Sequence, residues 1–199
     1  MTLVAAIGYI ILAVGTCAWL LPMVLQRRRS ETPQRLDRRA RWGILLVGVG
    51  YSLLWQTRFW ARSPAVWRVV CAGACFIFAW AFSWSATRAL GRHWRIEAGL
   101  NKDHELVRSG VYRFVRHPIY TSMLFAVIGT GLILAPLYLV GVSVLVYMLG
   151  TEIRVRIEDG LLASRFGQEF QSYRRSVPAY IPIPKLTNDK SKRSAILLI

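Results

Sequence analysis

Two long apolar runs constrain this chain more than any other feature of its sequence. Leu3 to Leu25 and Val66 to Leu90 each exceed the roughly 20 residues that a helix needs to cross a bilayer. The chain combines 54% hydrophobic residues with a formal net charge of +16, and soluble domains seldom have both. We therefore expect an all-α integral membrane protein.

Shorter apolar stretches complete the predicted membrane region. Trp42 to Trp55 forms a short span, and Ile119 to Tyr147 contains two stretches separated by Ala135-Pro136. Because proline lacks a backbone donor, the sequence predicts a break there and two helices in a tight hairpin. We count about five transmembrane helices in all.

A charged helix is predicted after the hairpin. Glu152 with Arg156, and Arg154 with Glu158, place opposite charges four residues apart, which favours a helix from about Glu152 to Tyr173. We expect this C-terminal helix to emerge into the cytoplasm.

The alternation of apolar and polar segments divides the chain into three regions. Residues 1–90 hold three N-terminal transmembrane helices, and residues 91–184 hold a polar connection, the hairpin and the charged helix. Residues 185–199 form a basic tail.

Basic residues set the predicted orientation. All 26 follow the first span, with seven in 26–41, three in 58–68, seven in 88–118 and nine beyond 150. Because basic loops remain in the cytoplasm, we expect the N-terminus outside and the C-terminus inside. The charges lie between apolar segments, so the membrane explains them better than nucleic acid does.

Several familiar site chemistries are missing from the sequence. Gly48-Val-Gly50 and Gly129-Thr-Gly131 lack the third glycine of a dinucleotide-binding turn, so helix packing is the better interpretation. The three cysteines have neither zinc nor disulfide spacing, and we interpret them as buried apolar residues. His93 and His104 are too isolated to predict a metal site.

Two titratable clusters flank the hairpin. Residues 104–120 read His-Glu-Leu-Val-Arg-Ser-Gly-Val-Tyr-Arg-Phe-Val-Arg-His-Pro-Ile-Tyr, and Arg154-Val-Arg-Ile-Glu158-Asp159 follows the second apolar stretch. Ionisable groups at a membrane boundary are costly, which favours a functional explanation. In the predicted topology both clusters are cytoplasmic, where they can form one site.

Each residue taken alone also has a structural explanation. Pro118 suits the first turn of a helix, and Arg116 and His117 can extend to the membrane interface. Glu158-Asp159 can be a solvated helix face. Their order around one hairpin, together with a glycine turn and two tyrosines, favours a site.

The two clusters resemble the motifs of a known family of enzymes. The signature of the isoprenylcysteine carboxyl methyltransferase family is similar to the string His104-x-Leu106-Val107-x-x-Gly110-x-Tyr112-x-x-x-Arg116-His117-Pro118-x-Tyr120. The family's second motif is similar to Arg154-x-x-x-Glu158-Asp159, followed by Phe166-Gly167 and Tyr173. The resemblance covers about residues 88–182. Asp159 stands where a second Glu is usual, and Phe170 stands where Tyr is frequent.

The resemblance implies S-adenosyl-L-methionine as cofactor and Arg154 as the arginine on the substrate side. Another cofactor contact would fall near Glu97. The other family contacts with the cofactor fall on His104, Glu105, Leu106, Val107, Tyr112, His117, Pro118, Ile119, Tyr120 and Glu158.

The chemistry of these side chains agrees with such roles. Glu158 can pair with the amino group or the sulfonium of the cofactor, and Arg116 or His117 can hold its carboxylate. Tyr112 and Tyr120 offer ring faces. Arg154 can aim an acceptor carboxylate, which needs no general base because its usual pKa is about 3.3–3.7. Arg154 and Glu158 are thus the predicted catalytic residues.

The acceptor stays open at this point. A lipid or prenylated substrate at the bilayer is expected, without nucleic acid or an obligate protein partner. The leading hypothesis is carboxyl O-methylation of a prenylated cysteine or related isoprenoid acid. Phospholipid N-methylation is the nearest alternative and requires Glu158 or His117 as a general base. A sterol-type reductase using NADPH and a non-enzymatic scaffold are more distant ones.

Overall fold

The computed structural model describes residues 2–27, 39–56, 63–91 and 106–180. In these ranges the regular structure is helical. Short 3-10 helices lie at Leu53–Trp55 and Gly110–Arg113. The α-helices are α1 Leu3–Arg27, α2 Ala40–Ser52, α3 Val66–Leu90, α4 Pro118–Leu134 and α5 Leu137–Ser176.

Three of these helices, α1, α3 and α5, are long and apolar enough to cross a membrane. The other two, α2 with its 3-10 extension and α4, are apolar but shorter. Large apolar side chains cover the outer surface: Trp42, Val70 and Leu145 are 68%, 65% and 67% exposed. An apolar surface of this extent is unfavourable in water and favourable in contact with lipid. The all-helical membrane fold is thus confirmed.

The helices pack in two groups that share α4. Helix α3 lies between α1 and α4 around a core that includes Leu12, Phe76 and Ala126. Helix α2 lies along α5, and the second core joins Leu54, Val127 and Tyr147.

The predicted hairpin is confirmed at the expected break. Helix α4 ends at Leu134, Ala135 and Pro136 are extended, and α5 begins at Leu137. Arg68 from α3 donates hydrogen bonds to the carbonyl oxygens of Gly131 and Ala135. The Gly131 carbonyl also accepts the Ala135 N–H, and Arg68 adds donors at this end, where the last carbonyls of a helix have few partners, and so stabilises the end of α4.

The charged helix is not separate from the hairpin. Helix α5 continues through Gly150 into the charged segment, and its regular geometry is interrupted only at Gly167, whose φ is 50° and ψ −123°. This positive-φ backbone suits glycine and kinks α5, and Tyr173 beyond the kink donates a hydrogen bond to the carbonyl of Tyr112, which precedes α4.

Helix packing explains most of the glycines that the sequence placed in apolar runs. A Cβ on Gly50 would lie 2.9 Å from the backbone nitrogen of Tyr147, and one on Gly131 would lie 2.8 Å from Val140 Cγ2. Around Gly48 the space is open. The expected burial of the cysteines is wrong for Cys17 and Cys71, which are exposed. Exposure to lipid costs a small apolar side chain little.

Candidate active site

The two titratable clusters meet where α4 begins. Arg116 and His117 precede α4, Tyr120 lies in its first turn, and Arg154 and Glu158 lie one turn apart on α5. Pro118 is the first residue of α4, where its missing N–H costs nothing.

Asp159 anchors the residues before α4. Its Oδ2 accepts a hydrogen bond from Arg116 Nη1 at 2.5 Å, and its Oδ1 lies 3.0 Å from His117 Nε2. The three side chains are 6%, 9% and 7% exposed respectively. Arg174 approaches the same carboxylate at 3.6 Å. Both carboxylate oxygens of Asp159 are therefore engaged by basic side chains of the protein.

Glu158 occupies the more open position. Its Oε1 accepts hydrogen bonds from the Tyr120 hydroxyl at 2.5 Å and from Arg154 Nη2 at 3.0 Å. Its Oε2 lies 3.5 Å from His117 Nδ1. The Glu158 side chain is 23% exposed, against 6% for Asp159. Of these two carboxylates, Glu158 is the one that a ligand can reach.

Arg154 is held in place by Tyr120 as well as by Glu158. Its Nε donates a hydrogen bond to the Tyr120 hydroxyl at 2.5 Å, and the guanidinium carbon lies 5.7 Å from the centre of the tyrosine ring. The arginine side chain is 6% exposed. Such an arginine is a fixed, permanently charged group in an apolar setting.

His117 lies between the two carboxylates. Burial opposes its positive charge, but hydrogen bonds to Asp159 and Glu158 outweigh burial and raise the pKa of His117. The cluster therefore favours the positively charged imidazolium form of His117. Its charge partly neutralises the two carboxylates beside it, those of Glu158 and Asp159.

The loop before the site is shaped by Gly110. Its φ of 59° is left-handed, which favours glycine, and the 3-10 helix that follows buries Tyr112. Burial raises the pKa of Tyr112 well above its usual value, and Tyr173 donates a hydrogen bond to the Tyr112 carbonyl at 2.6 Å. Leu106 packs on the cluster around Phe170.

A returning segment, residues 177–180, borders the site and was missed by the sequence analysis. The backbone nitrogens of Arg116 and His117 donate to the carbonyls of Pro178 at 2.9 Å and Ala179 at 3.0 Å. The Tyr180 hydroxyl donates to Glu152 at 2.9 Å. The proline at 178 indicated only that the helix stops, and no local signal predicts where the chain goes next.

Tyr147 is a second residue that the sequence analysis missed. Its side chain is fully buried on α5, and its hydroxyl donates to the Tyr120 carbonyl at 2.6 Å. A tyrosine inside an apolar run gives no signal of such a partner.

The structure brings together most of the predicted site residues. Arg116 is committed to Asp159 and to the Val177 carbonyl, so its predicted contact with the cofactor stays a prediction. His104 and Glu105, like Glu97, lie outside the described residues. The predicted residues that gather at the start of α4 or on the adjoining loop and helix are Leu106, Val107, Tyr112, Arg116, His117, Pro118, Ile119, Tyr120, Arg154 and Glu158.

The arrangement defines a class of protein: a helical membrane protein with a buried ionic cluster at one end of its apolar helices. Residues 71–164 match the model of the isoprenylcysteine carboxyl methyltransferase (ICMT) family. The match includes most of α3, all of α4, the first part of α5 and the cluster residues between Arg116 and Asp159, and it confirms the family resemblance over this region.

Two of three similar curated proteins carry the name of an isoprenylcysteine methyltransferase. A protein-S-isoprenylcysteine O-methyltransferase of Schizosaccharomyces pombe is 36% identical over 83 residues, 42% of this chain and 35% of the relative. The enzyme of the same name from Tribolium castaneum is 36% identical over 88 residues, 44% of this chain and 31% of the relative. A cobalt-zinc-cadmium resistance protein of Cupriavidus metallidurans is 36% identical over 94 residues, 47% and 43% of the two chains. The chain thus matches less than half the length of these relatives.

Proposed function

We propose that this protein is an S-adenosyl-L-methionine-dependent membrane methyltransferase that methylates the carboxylate of a lipophilic acceptor. A prenylated cysteine or a related isoprenoid acid is the leading acceptor. The observation that carries the proposal is the network in which Tyr120 and Arg154 both bond to the partly exposed Glu158. The family match and the names of two relatives support it.

The residues present fit the cofactor. When bound, S-adenosyl-L-methionine supplies an electrophilic methyl group on a sulfonium, and transfer to the acceptor oxygen releases S-adenosylhomocysteine. Glu158 has a carboxylate that is 23% exposed beside an aromatic ring, which suits a cationic ligand. Leu106, Val107 and Tyr112 are further proposed contacts of the cofactor, as are His104 and Glu105, which lie outside the described residues.

Arg154 has the properties needed to orient the acceptor. The acceptor carboxylate is already ionised at neutral pH and needs no general base. It needs a fixed cation, and the Arg154 guanidinium is buried and held through Nε and Nη2. Displacement at a methyl group depends on alignment, so this positioning is the protein's main contribution to catalysis.

The proposed site faces the cytoplasm. The count of basic residues supports an external N-terminus and a cytoplasmic C-terminal part of α5. Lipid-facing helices allow a prenylated substrate to arrive from the bilayer, whereas the soluble cofactor enters from the cytoplasm. The catalytic region is residues 91–184, preceded by the membrane region 1–90 and followed by the tail 185–199.

Transfer of a labelled methyl group tests the proposal. The detergent-solubilised protein would be incubated with methyl-labelled cofactor and either an N-acetyl prenylcysteine or phosphatidylethanolamine. We expect a base-labile methyl ester from the first acceptor and no methylated amine from the second. Labelled amine without ester would contradict the proposed acceptor.

A matched pair of arginine variants tests the role of Arg154. Arg154→Gln should lose most of the ester formation. Arg156→Gln should not, because the Arg156 side chain is 78% exposed and bonds only to Glu152 among the contacts described. Equal activity of the two variants would refute the role given to Arg154.

A further inference from the structure

Helix α2 lies directly against the arginine of the site. A Cβ on Gly43 would lie 2.6 Å from Arg154 Cγ and 2.7 Å from the Gly150 carbonyl oxygen. Gly150 is equally tight, since a Cβ there would lie 2.7 Å from the Gly43 carbonyl oxygen. The backbones of α2 and α5 therefore touch beside the first atoms of the Arg154 side chain.

Helices α2 and α5 run antiparallel along this contact. Gly43 faces Gly150 and Arg154, whereas Gly50 faces Ser143 and Tyr147. Seven residues of helix span about 10 Å, so Gly50 marks the same seam two turns away from Arg154. The two glycines have similar packing, but only Gly43 touches Arg154.

We infer that Gly43 is a positioning residue for Arg154. This inference rests on the proposed function. Arg154 Cγ is close to the backbone and cannot move away freely as the end of a side chain can. Because Gly43 has no side chain, Arg154 Cγ fits against α2, and in this position the guanidinium bonds to Tyr120 and Glu158. Residues 71–164, which match the family, do not include Gly43.

A side chain at position 43 must therefore change the site. Either α2 moves away from α5, or Arg154 leaves its present rotamer, and both displace the guanidinium. Displacements near 1 Å are enough to cost about 100-fold in rate when a reaction depends on alignment. Glu158 would lose its hydrogen bond from Arg154 but keep the one from the Tyr120 hydroxyl, so cofactor binding should change less than acceptor turnover.

Three alanine variants in α2 test the inference. Gly43→Ala, Gly50→Ala and Gly48→Ala would be compared for thermal unfolding, S-adenosylhomocysteine affinity, and kcat and KM toward the prenylcysteine acceptor. Gly50→Ala controls for tight helix packing, since its Cβ would lie 2.9 Å from a backbone atom of α5. Gly48→Ala controls for the substitution itself, since it meets no atom within 4 Å.

We expect Gly43→Ala to lower kcat/KM for the acceptor about 10- to 100-fold while S-adenosylhomocysteine affinity stays within about threefold. Gly50→Ala should lower the thermal midpoint but keep the acceptor kinetics within about threefold, and Gly48→Ala should resemble wild type. Equal loss of kcat/KM in Gly43→Ala and Gly50→Ala would overturn the inference, because both would then act through packing alone.

A double-mutant cycle gives a test that needs no turnover. The drop in thermal midpoint caused by Gly43→Ala should be smaller in an Arg154→Ala background, because the Cγ contact is gone. An unchanged drop would overturn the contact. A wild-type preparation that is folded yet neither binds S-adenosylhomocysteine nor forms ester overturns the proposed function and the positioning role of Gly43 with it.

Discussion

Replacing Asp159 by Asn should destabilise the protein strongly. The substitution keeps the size of the side chain but removes its charge. Arg116 would then remain buried, at 9% exposure, without its carboxylate partner, and His117, at 7% exposure, would keep only Glu158. Breaking a buried ion pair from one side costs about 3–5 kcal/mol. For a chain of this length that corresponds to a fall in thermal midpoint of roughly 6–20 °C.

The matched control is Glu169→Gln. Glu169 also pairs with an arginine, at 2.6 Å from Arg108, but the two side chains are 50% and 49% exposed. Such exposed pairs contribute about 1 kcal/mol or less. Thermal unfolding in detergent, followed by the fluorescence of the eight tryptophans, compares the two variants. A midpoint for Asp159→Asn as high as that of Glu169→Gln would refute the reasoning.

Two further predictions concern the segment before α4. Burial opposes the charge of His117, but its carboxylate partners raise its folded-state pKa above the unfolded value of about 6.5. Its contribution to stability is therefore complete below about pH 6.5 and is lost as pH rises through the folded pKa. The midpoint difference between wild type and His117→Gln should shrink toward alkaline pH, and a growing difference would contradict this sign. Gly110→Ala should cost about 1–2 kcal/mol because φ is 59°, whereas Gly160→Ala, with open space around it, should not destabilise. Thermal unfolding of both variants would show this, and equal midpoints would be the contrary result.

Local signals in the sequence were enough to predict most helix boundaries. The prediction for α3 began at Val66 and ended at Leu90, as in the structure, and Pro136 fixed the break in the hairpin. The separate start of the charged helix at Glu152 was not found, because the apolar run and the charged run share one helical backbone. A change from apolar to charged residues marks a change of surroundings and not the end of a helix.

Pairing between distant elements could not be predicted in the same way. Nothing local indicates that Gly43 meets Gly150, since that contact depends on how two helices cross. The sequence grouped Glu158 with Asp159, but only the structure separates them. Glu158 faces Tyr120 and Arg154, whereas Asp159 binds Arg116 and His117.

The most direct measurement is calorimetric binding of S-adenosyl-L-methionine and S-adenosylhomocysteine to the folded protein in detergent. Glu158→Gln and Glu152→Gln would be compared, since both carboxylates lie on α5 and accept a bond from an arginine four residues away. We predict binding by wild type and by Glu152→Gln, and a loss of at least about tenfold in Glu158→Gln, consistent with one charge-assisted hydrogen bond. A folded wild-type protein that binds neither ligand, or a Glu158→Gln variant that binds as tightly as wild type, would contradict the account.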